Sequence, residues 1–223
     1  METGNLWAVL PVKNFESVKQ RLAGIMTQAE RTGLFRESYQ DVLAALTGCH
    51  ALGGVMVVTC DPLAAEIAAR FGARVLREPE NRGHTAASSF GAATLEAEGV
   101  AGMIQVPGDL PLLEPEDIEA VLSAHGPAPA VTIAPSGDEK GSNAVASSPP
   151  TFLPLRFGDD SFYPHCDAAR GLGVEPGIVR RPAFELDLDT PEDLRRFAAG
   201  PSETRAYTYL QESGLIDRVL SLT

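Results

Sequence analysis

Three cysteines in 223 residues, Cys49, Cys60 and Cys166, are too few and too scattered for a disulfide framework, and no CxxC pair or Cys/His cluster offers a zinc site. The reducing cytosol is the simplest compartment for such a chain. Apolar runs are short, and none approaches the length needed to cross a bilayer, so no membrane partner is expected. The start, Met1-Glu2-Thr3-Gly4-Asn5, has neither the basic region nor the apolar stretch of a signal peptide, and a cytoplasmic location is expected. Cations are in deficit: 18 Lys and Arg stand against 30 Asp and Glu, a formal net charge of -12. That balance argues against nucleic acid as the main partner, because phosphate backbones need clustered Lys and Arg. A nucleotide stays open, since a metal ion and a few cations invert the sign locally. The dinucleotide fingerprint GxGxxG and the Walker A pattern are both missing, which weakens dehydrogenase and P-loop readings. No internal repeat or low-complexity linker divides the chain.

What is present alternates apolar runs with helical patterns. Runs at Leu6 to Val12, Val55 to Cys60, Ala73 to Arg77, Met103 to Val106 and Ala130 to Ala134 suit strands covered on both faces. Thr27-Gln28-Ala29-Glu30 has capping-box spacing and opens a helix ended by Gly48 or Gly53-Gly54. Asp61-Pro62 opens a helix through Arg70, which Gly72 stops. Further helices are expected from His84 to about Glu98, from Pro115 to about His125, from Phe162 to Arg170 and from Thr190-Pro191 onward. Asn143 to Ala146 resumes an extended segment. Alternating strands and helices imply an α/β fold with a three-layer, mostly parallel sheet. The expected organisation is one domain over residues 1–200 and a helical extension over 201–223, with helices at Glu203 to Ser213 and Ile216 to Leu220. That tail packs on the domain or on a second subunit, which leaves a homodimer open.

Candidate chemistry centres on Val106-Pro107-Gly108-Asp109, where a buried strand stops and presents one carboxylate. Strand ends at the carboxyl edge of an open α/β sheet are where ligands collect. Asp109 is placed to hold a magnesium ion carrying phosphate oxygens, or to bind turn amides. Glu185-Leu186-Asp187-Leu188-Asp189 alternates acid and leucine; as a strand it would put three carboxylates on one face, beside a cation or exposed at an edge. Lys13, Lys19 and Arg21 form a positive island after the first strand, either around nucleotide phosphates or solvated. Gly83 precedes a small-residue helix start, which lets a ligand approach backbone amides or merely connects strand to helix. His84 reads as a surface residue, and Ser161 as an N-cap more than as a ligand hydroxyl.

Taken in order, Pro11-Val12-Lys13 with Lys19-Gln20-Arg21-Leu22, Gly108-Asp109-Leu110-Pro111, Gly141-Ser142-Asn143-Ala144, Phe157-Gly158 with Ser161, and Asp187-Leu188-Asp189-Thr190-Pro191 resemble the CofC/FbiD guanylyltransferases of deazaflavin coenzyme (F-420) biosynthesis. The likeness covers residues 6–197, and the ordered set rather than any one motif carries it. It implies a nucleotide-diphospho-sugar-transferase-like, Rossmann-like nucleotidyltransferase fold. The implied reaction moves GMP from GTP to the phosphate of 2-phospho-L-lactate, phosphoenolpyruvate or 3-phospho-D-glycerate, and releases pyrophosphate. Carried over by position, Asp109, Asp187 and Asp189 hold Mg2+. Ser142, Gly158 and Ser161 meet the phosphorylated acid. Pro11, Lys13, Lys19, Arg21, Gly83 and Thr85 meet the nucleotide, with Asp109, Lys13 and Arg21 acting in the chemical step. This sequence departs from the family pattern at Gly108, usually Ala, at Ser142, usually Thr, and at Thr85, where Asn is usual.

The residues alone are consistent with that chemistry. A phosphate acceptor is already nucleophilic at neutral pH, so no side-chain base is needed, and no convincing Ser/His/Asp set exists. Positioning and charge neutralisation would supply the rate. Rival readings are a molybdenum-cofactor-type or sugar-1-phosphate nucleotidyltransferase and a catalytically silent nucleotide-binding module. The first rival usually carries a glycine-rich loop where Lys13-Asn14-Phe15-Glu16 stands here.

Overall fold

The computed structural model describes residues 6–15, 18–158 and 160–221. Residues 1–5, Glu16, Ser17, Asp159, Leu222 and Thr223 lie outside the described residues. Seven strands form one mixed sheet: β1 Leu6–Pro11, β2 Gly54–Thr59, β3 Arg74–Arg77, β4 Gly102–Gln105, β5 Ala130–Pro135, β6 Ser142–Ser148 and β7 Gly177–Ile178. Their order is β3-β2-β1-β4-β6-β5-β7. β3, β2, β1 and β4 are parallel, β6 runs antiparallel between β4 and β5, and β7 pairs parallel to β5. The α/β architecture with one mostly parallel, mixed sheet expected above is the one found.

Helices α1 Gln28–Gly48, α2 Pro62–Arg70, α3 His84–Ala97, α4 Pro115–Ala124, α5 Phe162–Gly171, α6 Pro191–Ala199, α7 Arg205–Glu212 and α8 Leu215–Leu220 complete the chain. Their starts follow local chemistry. Thr27 and Glu30 exchange the two capping-box bonds, and Thr190 and Asp193 do the same for α6. The Asp61 carboxylate accepts from the amides of Leu63 and Ala64, with Pro62 at the first helical position. Alternation along each strand splits the core. Leu10, Val57 and Ile104 face α1, α2 and α4, while Val9, Val58 and Met103 face α3. Val145 and Ile133 meet α5 on that second side.

One expectation is corrected here. Residues 185–189 form no strand: Pro182–Phe184 is a 3-10 turn, and the chain then runs along the sheet rim. The acid–leucine alternation survives because Leu186 and Leu188 are buried while Asp187 and Asp189 face a cleft. The sheet edges are instead β3 and β7, the latter two residues long and invisible to a periodicity argument.

The tail helices pack within the chain. Asp41 of α1 accepts from the amides of Arg205 and Ala206, and Tyr209 donates to the Glu30 carbonyl. Leu22, Met26 and Leu34 share one apolar cluster with Leu186, Leu188, Leu194, Ala206, Leu210 and Val219.

α3 lies close enough to the sheet that only glycine fits at 91. A Cβ there would sit 2.7 Å from a Val9 methyl and 3.1 Å from a Val58 methyl, both on buried side chains. Gly91→Ala is therefore expected to destabilise the fold by about 1–3 kcal/mol from overpacking, partly offset by about 1 kcal/mol of helix propensity. Urea unfolding checks the sign, and a variant more stable than wild type would contradict the packing argument.

Candidate active site

The cleft opens where β1 and β4 end and antiparallel β6 begins, so strand ends of both senses meet at one rim. Its volume is about 1050 Å³. Pro11, Lys13, Lys19, Arg21, Gly83, Thr85, Asp109, Ser142, Gly158, Ser161, Asp187 and Asp189 all line it. Every residue singled out from the sequence as a site candidate is thus brought to one cavity.

β4 stops before Pro107, whose ring removes a ladder donor, and Asp109 follows at the rim. The acidic loop is tied to this point, because Leu188 donates its amide to the Asp109 carbonyl at 3.1 Å. Asn143, at the start of β6, donates to the Phe184 carbonyl at 2.7 Å and to the Asp187 carboxylate at 3.3 Å. One oxygen from each of Asp109, Asp187 and Asp189 lies within 4.8 Å of the others.

Lys19 enters this cluster from the loop after β1. Its backbone is left-handed, with φ 54°, immediately before the 3-10 turn Gln20–Leu22. Buried Leu22 anchors that turn, and Lys19 Nζ bonds Asp109 and also Asp189, the latter at 2.6 Å. Arg21 approaches Asp189 at 3.9 Å. Burial pushes the Asp187 carboxyl up to about 6, assisted by the charges of Asp109 and Asp189. Burial acts the same way on Asp189, but the Lys19 ammonium together with Arg21 and Lys13 outweighs it and holds that carboxyl below the usual range. Burial opposes the charge on Lys19, yet the two aspartates raise its pKa.

This donor set fits a hard divalent cation. All three ligands are carboxylates, and the buried Oδ1 of Asp109 has no hydrogen-bond partner. Lys19 and the more distant Arg21 also leave three carboxylates incompletely balanced. The exposed cations Lys13 and Arg21 stand beside the cluster, where an anionic ligand would meet them.

The opposite wall is lined mainly by hydroxyls and glycines, with the cations Arg82 and Lys140 flanking Gly83 and Gly141. Ser161 occupies the N-cap position of α5 but makes no cap bond; its hydroxyl accepts the Ser142 amide at 2.9 Å. The N-cap role expected for it is therefore replaced by a link between α5 and β6. Gly83, with φ 93°, starts α3, and its N-terminal turn borders the cleft. The Thr85 hydroxyl accepts the Phe157 amide at 3.0 Å, which fixes the loop leading to Gly158. His84 is not a solvated surface residue. It bonds Gln105 at 3.0 Å and lies edge-on to Phe157, and burial lowers its pKa to about 4. Sequence reasoning missed Asn143 as the partner of Asp187, and His165, which bonds Ser142. Neither carries a local signal, because each acts through a residue far away in the chain.

Residues 6–218 match the family described as guanylyl transferase CofC like. A phosphoenolpyruvate guanylyltransferase of Rubrobacter xylanophilus is 38% identical over 195 residues, covering 87% of this chain and 94% of that protein. A 3-phospho-D-glycerate guanylyltransferase of Phenylobacterium zucineum is 36% identical over 211 residues, covering 92% of this chain and 95% of that protein. Among solved structures, a putative nucleotide-diphospho-sugar transferase from Desulfovibrio desulfuricans superposes with a TM-score of 0.77 at 18% identity, covering 96% of this chain and 97% of that one. At that identity the superposition speaks for the fold.

The raised Asp187 carboxyl gives the cluster a pH signature. Below about 6 Asp187 holds a proton that a divalent ion must displace. Binding of Mn2+, followed by water-proton relaxation, is expected to tighten as pH rises from 5 to about 7 and then to level off. Affinity that is flat across this window would contradict the assignment of Asp187 to the ion.

Proposed function

The chain belongs to the guanylyl transferase CofC-like family, and from that premise we propose that it transfers GMP from GTP to the phosphate of a small phosphorylated carboxylic acid in the formation of deazaflavin coenzyme F-420. It is a nucleotidyltransferase. Phosphoenolpyruvate and 3-phospho-D-glycerate are the acceptors named for its relatives, and 2-phospho-L-lactate shares their chemistry. The observation that carries the reading is the meeting of Asp109, Asp187 and Asp189 with Lys19 at one rim, opposite a hydroxyl-lined wall.

In this reading an oxygen of the acceptor phosphate attacks the α-phosphorus of GTP. The bond from that phosphorus to the bridging oxygen breaks, and pyrophosphate leaves with the electron pair. Asp109, Asp187 and Asp189 would hold Mg2+, which supplies neutralisation of phosphate oxygens when bound. Lys13, Lys19 and Arg21 meet the triphosphate and screen two anions from each other. Pro11, Gly83 and Thr85 border the nucleotide, with the first amides of α3 offering N–H groups to negative oxygen. Ser142, Gly158 and Ser161 receive the acid. No base is required, because the acceptor phosphate is already ionised near neutral pH. Orientation in the cleft replaces a bimolecular encounter.

Three free cysteines support a reducing, cytoplasmic setting, and no helix among the described residues is long and apolar enough to cross a membrane. The division at residue 200 stays within this reading, with residues 201–223 as a brace on the domain. A homodimer through the tail draws no support from its apolar residues Ala206, Leu210 and Val219, which are buried within the chain.

Incubation with GTP, Mg2+ and each acid in turn is expected to release pyrophosphate with at least one of them. Turnover only with a sugar phosphate would move the reading to a sugar nucleotidyltransferase, and binding without release would leave a nucleotide-binding module. Asp109→Asn is expected to lower kcat by roughly a hundredfold or more, the scale for losing one electrostatic stabiliser, with an unchanged circular dichroism spectrum. Wild-type turnover in that variant would remove Asp109 from the site.

A further inference from the structure

The wall facing the carboxylates contains a side chain with no role so far. His165, on α5, is fully buried. Its Nε2 accepts the Arg156 amide at 2.9 Å, and its Nδ1 meets the Ser142 hydroxyl at 2.9 Å. A backbone N–H only donates, so Nε2 carries the lone pair and the single proton of a neutral imidazole sits on Nδ1. Burial, with the Arg156 charge adding to it, lowers the imidazole pKa to about 4, in keeping with a neutral ring. Nδ1–H then donates to Ser142.

That direction has a consequence at the cleft. A serine hydroxyl carries one proton and two lone pairs. With one lone pair taken by His165, its only hydrogen-bond partner among the described residues, the Ser142 proton is left to point elsewhere. Ser142 lines the cleft. Its amide is held by Ser161, so the backbone beneath the hydroxyl is fixed as well. Phe157 packs edge-on against His165 with ring centroids 5.1 Å apart, which restrains the ring and joins it to the loop that carries Gly158.

We propose that His165 is a positioning residue that sets the polarity of Ser142, so that its hydroxyl acts as a committed donor to an anionic oxygen of the phosphorylated acid. This rests on the reading above that the acid binds at Ser142. The ring never touches the acid. It removes the alternative in which the hydroxyl spends its proton on the protein and turns a lone pair toward an anion, which would repel it.

The first test needs no substrate. Nitrogen-15 shifts of the His165 imidazole in the wild-type protein are expected to report one neutral tautomer, protonated at Nδ1, across pH 6 to 8. A ring protonated at Nε2, or on both nitrogens, would overturn the proposal whether or not guanylyl transfer occurs. The second test is kinetic. His165→Phe keeps a buried ring without a donor. It is expected to raise KM for the acid about tenfold, the scale of one hydrogen bond to a charged group, while KM for GTP is unchanged. Ser142→Ala should do the same, and the pair should be no worse than either alone, because both remove one interaction. His165→Asn, which keeps an amide donor near the Nδ1 position, should recover most of the loss. Effects that multiply in the pair, or a KM for GTP that rises equally, would overturn the role. Should His165→Phe not fold, the wild-type nitrogen spectrum and the Ser142→Ala KM split still decide.

Discussion

Three carboxylates within 4.8 Å repel one another, and the molecule is arranged so that they do not escape. Repulsion at such range is relieved by a proton, a cation or separation. The structure supplies the cation, Lys19 against Asp109 and Asp189, while burial and the neighbouring carboxylates raise the Asp187 pKa to about 6 and so make a proton there easier to hold. Separation is prevented by the backbone bond from Leu188 to Asp109 and by Asn143 on Asp187. Lys19 itself is held in a left-handed conformation that non-glycine residues adopt at a cost of order 1 kcal/mol. Strain, burial and like charge are concentrated at one rim, as they are where binding sites are built.

The reversal of β6 makes a two-sided cleft possible. In an all-parallel sheet only strand ends reach the carboxyl edge, and loops supply everything else. Here the sheet turns antiparallel beside β4, so a strand begins where its neighbours finish. Ser142 and Asn143 are the first residues of that strand. A hydroxyl and an amide therefore stand on rigid sheet backbone rather than on a loop, facing the acidic end of β4. The two walls differ in electrostatic character, one carrying the carboxylate cluster and the other hydroxyls with Arg82 and Lys140 beside them, which suits two different anions meeting between them.

Much of this was legible in the sequence where the governing interaction is local. Capping at Thr27, Asp61 and Thr190 fixed helix starts, because the partner lies three residues on. The parallel strands were visible as apolar runs covered on both faces. The acidic stretch 185–189 misled, since alternation records which side chains are buried and does not record whether the backbone pairs in a ladder. Its leucines are buried by helices rather than by a second sheet face. His84 was misjudged because its partners, Gln105 and Phe157, stand 21 and 73 positions away. Ser161 stands where a cap belongs, yet a neighbouring strand takes its hydroxyl. The site residues came together from the ordered set of motifs, while Asn143 and His165 act only through three-dimensional proximity.

The apolar cluster beneath the acidic loop ties distant parts of the chain into one mechanical unit. Leu22 below the Lys19 turn, Leu186 and Leu188 below the aspartates, and Leu210 and Val219 near the chain's end have no other core to share. The central sheet is packed on separate residues. Sub-global opening tends to follow such groupings, so release of the last two helices would uncover Leu186 and Leu188 beneath the aspartates while the strands stayed paired. Sequence far from the cleft thereby supplies part of the floor on which the acidic loop rests.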